Sequence, residues 1–378
     1  MRVFFTSSMG LGHLFPMIST MWALRAAGHE VRVATAGTAA EAAANAGLHV
    51  VDATPGVDWE QEIQKLVAEH FGNRPPGSRQ GQNQEQELGV AGQMFAGIAD
   101  RMADVALREA EAWGADLVVY ELTDATGPMI AAKLGIPCVQ HGFGLTAGDE
   151  LFTAMMPHLA PAFERLGIDG LAPRAQALDV APSSLEGELG GLPTRYVPFN
   201  GGGVLPQWLL EPTGKPRLVI TMGTAVGQFA GVDPWRAILA ATKKADAELV
   251  LATNAQDLSE LGELPENVRV VDYLPLSALL PVSTAIIHHG GSGSTLTAAD
   301  AGVTQLIVPQ GADQFFNAER VAKRGCGLSA VGEGVTEEQV YRLVHDEALR
   351  TAAREVQAEM RAMPSPAARV PELEALVG

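Results

Sequence analysis

Two glycine turns, one near the start of the chain and one in its last quarter, each follow a short apolar run and precede a helical pattern. The first is Met9-Gly10-Leu11-Gly12-His13, between residues 2–7 and 16–27. The second is His288-His289-Gly290-Gly291-Ser292-Gly293-Ser294, between the apolar Ala285, Ile286 and Ile287 and residues 296–301. Glycines and hydroxyl residues at a strand-to-helix turn leave bare backbone N–H groups and the positive helix end converging on one point. That cradle suits a diphosphate, and the first turn adds a histidine. A chain organised around two such units is expected to fold as two α/β halves.

The surrounding pattern agrees. Residues 3–7 and 30–34 read as strands, and residues 16–27 and 39–46 as helices closed by Gly28 and Gly47. Helices at 89–113, 127–134 and 151–166 then alternate with strands at 117–120, 138–140 and 178–182. This order predicts a doubly wound parallel sheet. Between residues 55 and 86 the pattern dissolves into Gly, Pro, Gln, Asn and Arg, which reads as a lid-like insertion.

Residues 198–216 carry Gly201-Gly202-Gly203, Pro206, Pro212, Gly214 and Pro216, the composition of a linker. Beyond it the alternation restarts, with strands at 218–221, 247–252, 268–271, 285–289 and 305–308, helices at 234–244, 277–280 and 295–301, and a helical tail at 336–363. The expected division is a first Rossmann-like domain at 1–199, a linker at 200–216, a second such domain at 217–360, and a tail at 361–378 that packs back on the first. The whole is α/β, two facing doubly wound sheets with a cleft between them.

Composition narrows the function. A chain of 378 residues exceeds one ordinary core, and 47 % apolar with 19 % charged residues excludes general disorder. The net charge of −18 argues against nucleic-acid and anionic-membrane partners, so an anionic ligand must be held locally. Cys138 and Cys326 lie far apart on apolar segments and read as buried thiols. The chain opens directly on a strand pattern, and no stretch approaches the ~18 apolar residues of a membrane span. A cytoplasmic location is expected; periodicity reveals nothing of oligomeric state.

Four segments together resemble a known family: Gly12-His13-Leu14-Phe15-Pro16, Ile220-Thr221-Met222-Gly223-Thr224, residues 288–294 with Ala301-Gly302-Val303-Thr304-Gln305, and Asp313-Gln314. They look like the bacterial nucleotide-sugar glycosyltransferases of the two-Rossmann (GT-B) fold. More narrowly, they are similar to enzymes that decorate antibiotic aglycones, including the calicheamicin group. The resemblance spans nearly the whole chain except the insertion before residue 90.

His13 is the catalytic candidate. An attacking hydroxyl must lose its proton, and imidazole with an ordinary pKa near 6.5 is a suitable base. Such a histidine needs a carboxylate on its other nitrogen. Glu121 ends the strand where the family typically has aspartate, and Asp124 is its rival.

The resemblance implies that His289 donates to a diphosphate oxygen, that the amides of Gly291 and Gly293 approach it closely, and that the Ser294 hydroxyl adds a bond. Gly223 and Thr224 would form the opposite wall, with Gly12 and Ser292 completing the donor set. Tyr273 stands where the family commonly stacks a tryptophan on the pyrimidine, and the Leu274 backbone would read the base edge. Asp313 and Gln314 resemble the pair that holds the sugar hydroxyls. Thr297 occupies a position where UDP-sugar enzymes often have glutamate for the ribose hydroxyls, which favours a dTDP-sugar.

No Asp-x-Asp occurs, so metal independence is expected, with no cofactor beyond the dTDP-sugar co-substrate. Phe15, Met94, Phe143 and Phe152 are the acceptor candidates, suited to an apolar aglycone. The expected activity is an inverting glycosyltransferase of antibiotic biosynthesis. The alternatives are a nucleotide-sugar epimerase on the same scaffold and a non-catalytic helper of an active transferase.

Overall fold

The computed structural model describes residues 1–59, 61–62, 65, 84–146, 148–186, 190–223, 231–331 and 334–378. Most of the expected insertion, and Thr224, lie outside the described residues.

Two all-parallel sheets organise the chain. The first has seven strands, β1 Arg2–Thr6, β2 Glu30–Thr35, β3 His49–Asp52, β4 Leu117–Glu121, β5 Cys138–His141, β6 Gln176–Asp179 and β7 Leu192–Pro193, in the order β3-β2-β1-β4-β5-β6-β7. The second has six, β8 Arg217–Thr221, β9 Glu248–Ala252, β10 Val268–Val271, β11 Ala285–His288, β12 Thr304–Ile307 and β13 Gly327–Ser329, in the order β10-β9-β8-β11-β12-β13. The doubly wound pair of sheets is therefore present, with β3 and β7 in the first sheet and β13 in the second added to the strands read from the sequence pattern.

Alternation along the strands explains the layering. Val3, Phe5, Val31, Val33, Leu117 and Val119 pack on one face of the first sheet, while Phe4, Ala34, Val118 and Tyr120 pack on the other. Successive strand residues point to opposite faces, so a strand with helices on both sides must be apolar throughout. The second sheet repeats this, with Leu218, Ile220, Leu249 and Ile287 on one face and Val219, Val250 and Ile286 on the other.

Three elements differ from the sequence pattern. The expected helix at 151–166 is split into Asp149–Met155, a 3-10 turn Met156–His158 and Ala160–Leu166. Pro157 and Pro161 supply the reason, since proline lacks the N–H a continuing helix needs. The helix before Trp113 begins earlier, spanning Gln84–Trp113. The tail is two helices, Glu337–His345 and Glu347–Ala362, because Asp346 leaves helical geometry and caps the second, accepting from the amides of Ala348 and Leu349.

After the second tail helix, Val370 and Leu373 join the core beside β1 and β2. The Arg195 amide donates to the Pro364 carbonyl at 2.7 Å. Both cysteines are buried and free.

Candidate active site

Each sheet reverses its winding between neighbouring strands, β1 and β4 in the first, β8 and β11 in the second. Open parallel sheets leave a crevice at that point, because the connections leave toward opposite faces. Both glycine turns stand there, one after β1 and one after β11. The two crevices meet in a single cleft of about 340 Å³.

His13 lies in the first turn of the helix Leu11–Ala26 and faces this cleft. Its Nδ1 is 3.0 Å from Thr123 Oγ1 and 3.4 Å from Glu121 Oε2. The ring is held edgewise by Phe143, with centroids 4.8 Å apart, and is flanked by Phe95 at 5.7 Å.

Glu121, at the end of β4, is fully buried. Its Oε1 accepts from the Ser8 amide at 3.1 Å and the Thr123 hydroxyl at 2.8 Å, and its Oε2 accepts from the Thr123 amide at 2.5 Å. Burial opposes charge on both partners, but their mutual attraction and hydrogen bonding prevail. The His13 pKa is raised, and that of Glu121 is lowered, the latter also by Thr123.

Asp124, the sequence rival, points elsewhere. Its carboxylate accepts from the amides of Thr126 and Gly127 at the start of the helix Thr126–Leu134. Burial, then the charge of Glu121, pushes its pKa up to about 6.

The second turn is built differently. His289 faces the cleft between Gly223 and Gly291, where a Cβ on either would come within 2.4 or 2.5 Å of the ring. Glycine is needed at both positions for close approach, and at Gly223 also for a φ of +71°. The Nδ1 of His289 is buried without a hydrogen-bond partner among the described residues. Burial, then the neighbouring His288, pushes its pKa down to about 3, so the ring is neutral.

The helix Ser292–Ala301 starts beside it with Gly291 as N-cap and no side chain closing its first amides. An uncapped helix start and an unpartnered imidazole nitrogen fit an incoming anion. His288 is spent internally, Nε2 bonding Gln305 at 3.0 Å and Nδ1 accepting from the Gly290 amide.

Among the remaining donor candidates, Gly12, Gly291, Ser292, Gly293, Ser294, Tyr273, Leu274 and Asp313 line the cleft. Ser292 donates its hydroxyl to Asp313 Oδ2 at 2.6 Å. It also touches the first half, where a Cβ on Gly144 would lie 2.2 Å from its Oγ. Gln314 does not line the cleft; its Oε1 accepts from the amides of Gln310 and Gly311, fastening that loop. The Thr297 hydroxyl turns back to the Gly293 carbonyl at 2.6 Å, and its side chain is buried.

Of the acceptor candidates, Phe15 and Phe143 line the cleft, whereas Met94 and Phe152 pack into the first half. Phe95 flanks the His13 ring but packs with the latter pair and does not line the cleft. Asn200 is an unforeseen lining residue; its carbonyl accepts from the Tyr273 hydroxyl and its Oδ1 accepts from the Ser277 amide at 2.9 Å. Among the described residues no group of three or more metal-ligating side chains occurs, and no helix is long and apolar enough to cross a membrane.

Comparison with known proteins agrees with this architecture. Over 379 aligned residues the chain is 40 % identical to elloramycin glycosyltransferase ElmGT of Streptomyces olivaceus, covering 97 % of this chain and 95 % of that protein. The structure of the glycosyltransferase SnogD from Streptomyces nogalater matches with a TM-score of 0.86 and 38 % identity, covering 100 % of this chain and 99 % of that one. Spinosyn rhamnosyltransferase SpnG, solved with spinosyn aglycone and with thymidine diphosphate, matches with a TM-score of 0.85 and 29 % identity, covering 99 % and 100 %.

The fold and cleft are thus those of a GT-B glycosyltransferase, and neither the epimerase nor the helper alternative is favoured. Residues 22–223 match the N-terminal domain, and residues 236–376 the C-terminal domain, of a family described as erythromycin biosynthesis protein CIII-like. The chain belongs to this family of antibiotic glycosyltransferases.

Proposed function

We propose that the enzyme moves a deoxysugar from a dTDP-sugar to an apolar natural-product aglycone, with inversion and without a metal ion. The carrying observation is the opposition, within one cleft, of a carboxylate-backed imidazole at His13 and a neutral, unpartnered imidazole at His289. In the forward step His13 Nε2 takes the acceptor hydroxyl proton while Glu121 stabilises the imidazolium through Nδ1. The acceptor oxygen forms a bond to the anomeric carbon as the bond from that carbon to the diphosphate breaks. A single displacement inverts the centre.

The departing diphosphate gains negative charge, which His289, the amides around Gly291 and Gly293 and the helix start meet. Gly12, Gly223 and Ser294 complete that wall, Tyr273 offers a flat ring to thymine, and the Leu274 backbone reads its edge. Asp313 holds the sugar, and Gln314 fastens the loop that precedes it. Thr297 brings no carboxylate against a ribose lacking its 2′-hydroxyl. Phe15 and Phe143 contact the aglycone, with Met94 and Phe152 behind them. Residues 1–199 take the acceptor, 217–360 take the donor, 200–216 join them and 361–378 return to the first half. A cytoplasmic setting away from nucleic acid and membrane is part of the proposal, favoured by the net charge of −18. The complexes of SpnG with thymidine diphosphate and with an aglycone support both substrate classes.

Thermal shift with thymidine, uridine and guanosine diphosphates tests the donor, because a ligand that binds only the folded state raises its melting temperature. Thymidine diphosphate should give the largest rise. A larger rise with uridine diphosphate, or none with any of the three, removes the dTDP-sugar reading.

A further inference from the structure

Asp313 stands at the N-cap of the helix Gln314–Arg324, where an aspartate ordinarily accepts from the amides of the first helical turn. Here its side chain makes no such bond. Its Oδ2 accepts instead from the Ser292 hydroxyl at 2.6 Å and from Asn317 Nδ2 at 2.9 Å. Ser292 draws the carboxylate toward the start of the helix Ser292–Ala301, while Asn317 holds the same oxygen from one turn along Asp313's own helix. Its Oδ1 has no hydrogen-bond partner among the described residues, and Asp313 lines the cleft.

Asn317 is fully buried one turn further on. Its Nδ2 also donates to the Gly290 carbonyl at 2.8 Å, so one amide ties Asp313 to the glycine turn that carries His289. Ala312 precedes Asp313 with a φ of +52°, a left-handed conformation uncommon outside glycine. An acid that forgoes its cap and is gripped by two donors on one oxygen has its other oxygen aimed in advance.

We propose that Asn317 is a positioning residue for transfer: with Ser292 it orients Asp313 so that Oδ1 accepts from a hydroxyl of the donor sugar. The inference rests on the reading of Asp313 as a sugar-binding group. It assigns Asn317 to recognition of the sugar and leaves the nucleotide to Tyr273, Leu274 and His289.

Calorimetric titration separates these roles, using thymidine diphosphate and TDP-glucose as probes against the parent protein and its Asn317→Ala, Ser292→Ala and Asp313→Ala variants. TDP-glucose should bind about tenfold more weakly to Asn317→Ala and to Ser292→Ala, while thymidine diphosphate stays within about twofold. The Asn317→Ala/Asp313→Ala double variant should bind TDP-glucose no more weakly than Asp313→Ala alone, as residues acting through one group do. Equal losses for both probes would make Asn317 merely structural and overturn the inference. If Asp313→Ala weakens TDP-glucose but Asn317→Ala and Ser292→Ala do not, the inference fails and the sugar role of Asp313 stands. If Asp313→Ala changes nothing, that role fails first. Should Asn317→Ala not fold, Ser292→Ala decides, because it removes the second donor to the same oxygen.

Discussion

His13 and His289 each belong to a glycine turn at the carboxyl end of a strand beside the switch point of its sheet, yet their surroundings differ in what decides charge. The strand next to β1 ends in Glu121, so His13 has a buried carboxylate behind it and its pKa rises. The strand next to β11 ends in Thr221 and runs on to Gly223, so His289 has no counter-charge and its pKa falls to about 3. The same topology has made one imidazole ready to take a proton and left the other ready to meet an anion. Strand order fixes where each histidine stands, and the last residue of the neighbouring strand decides whether it meets a counter-charge.

Four experiments break or sharpen this contrast. Replacing the base should have the largest effect: His13→Ala should lower kcat by ~10²–10⁴-fold while the circular dichroism melt and thymidine diphosphate affinity hold. Turnover near the parent rate would take His13 out of the chemistry.

Glu121→Gln should cut kcat/KM by about 100-fold and move the pH profile. Neutral His13 is the active form, so activity in the parent falls as pH drops through the raised pKa, above 6.5. Without the Glu121 charge, burial dominates and the acid limb moves to lower pH; an unmoved limb would mean that Glu121 does not set the histidine. The amide also cannot accept all three bonds of the carboxylate, which costs about 1–3 kcal/mol of stability.

His289→Ala should weaken thymidine diphosphate about tenfold or more, read by titration, as expected for losing a hydrogen bond to a charged group. Affinity like that of the parent would leave the anion to the helix start alone. The smallest change is expected from chelation: EDTA should leave the rate unaltered, and restoration of a lost rate by magnesium would show that a cation shares the work assigned to His289.

The sequence carried the alternation of strands and helices because both sheets are covered on two faces, which makes their central strands apolar throughout. Three of the four edge strands escaped it for the same reason, whereas Val268–Val271, apolar at three of its four positions, did not. His49–Asp52 has polar residues at both ends, Leu192–Pro193 is two residues long, and Gly327–Ser329 has one large apolar side chain.

Within the site, turns and residue types were legible but side-chain direction was not. Glu121 and Asp124 are three residues apart, and only the cage from Ser8 and Thr123 separates the partner of His13 from a helix cap. Gln314 and Asp313 are adjacent, yet one fastens a loop while the other lines the cleft. Asn317 had a signal that went unread, since a residue four places after Asp313 shares its helix face. Asn200 had none beyond its position at the start of the linker.

Gly144 carries a consequence for recombination. Its φ lies outside the left-handed range, so glycine is required there only because Ser292 of the other half comes so near. Two halves taken from different family members can dock in this register only when the residue corresponding to Gly144 is as small as the incoming serine demands. A hybrid enzyme that inherits a bulkier side chain at this point would be wedged ajar, each half intact and their reaction partners held out of reach.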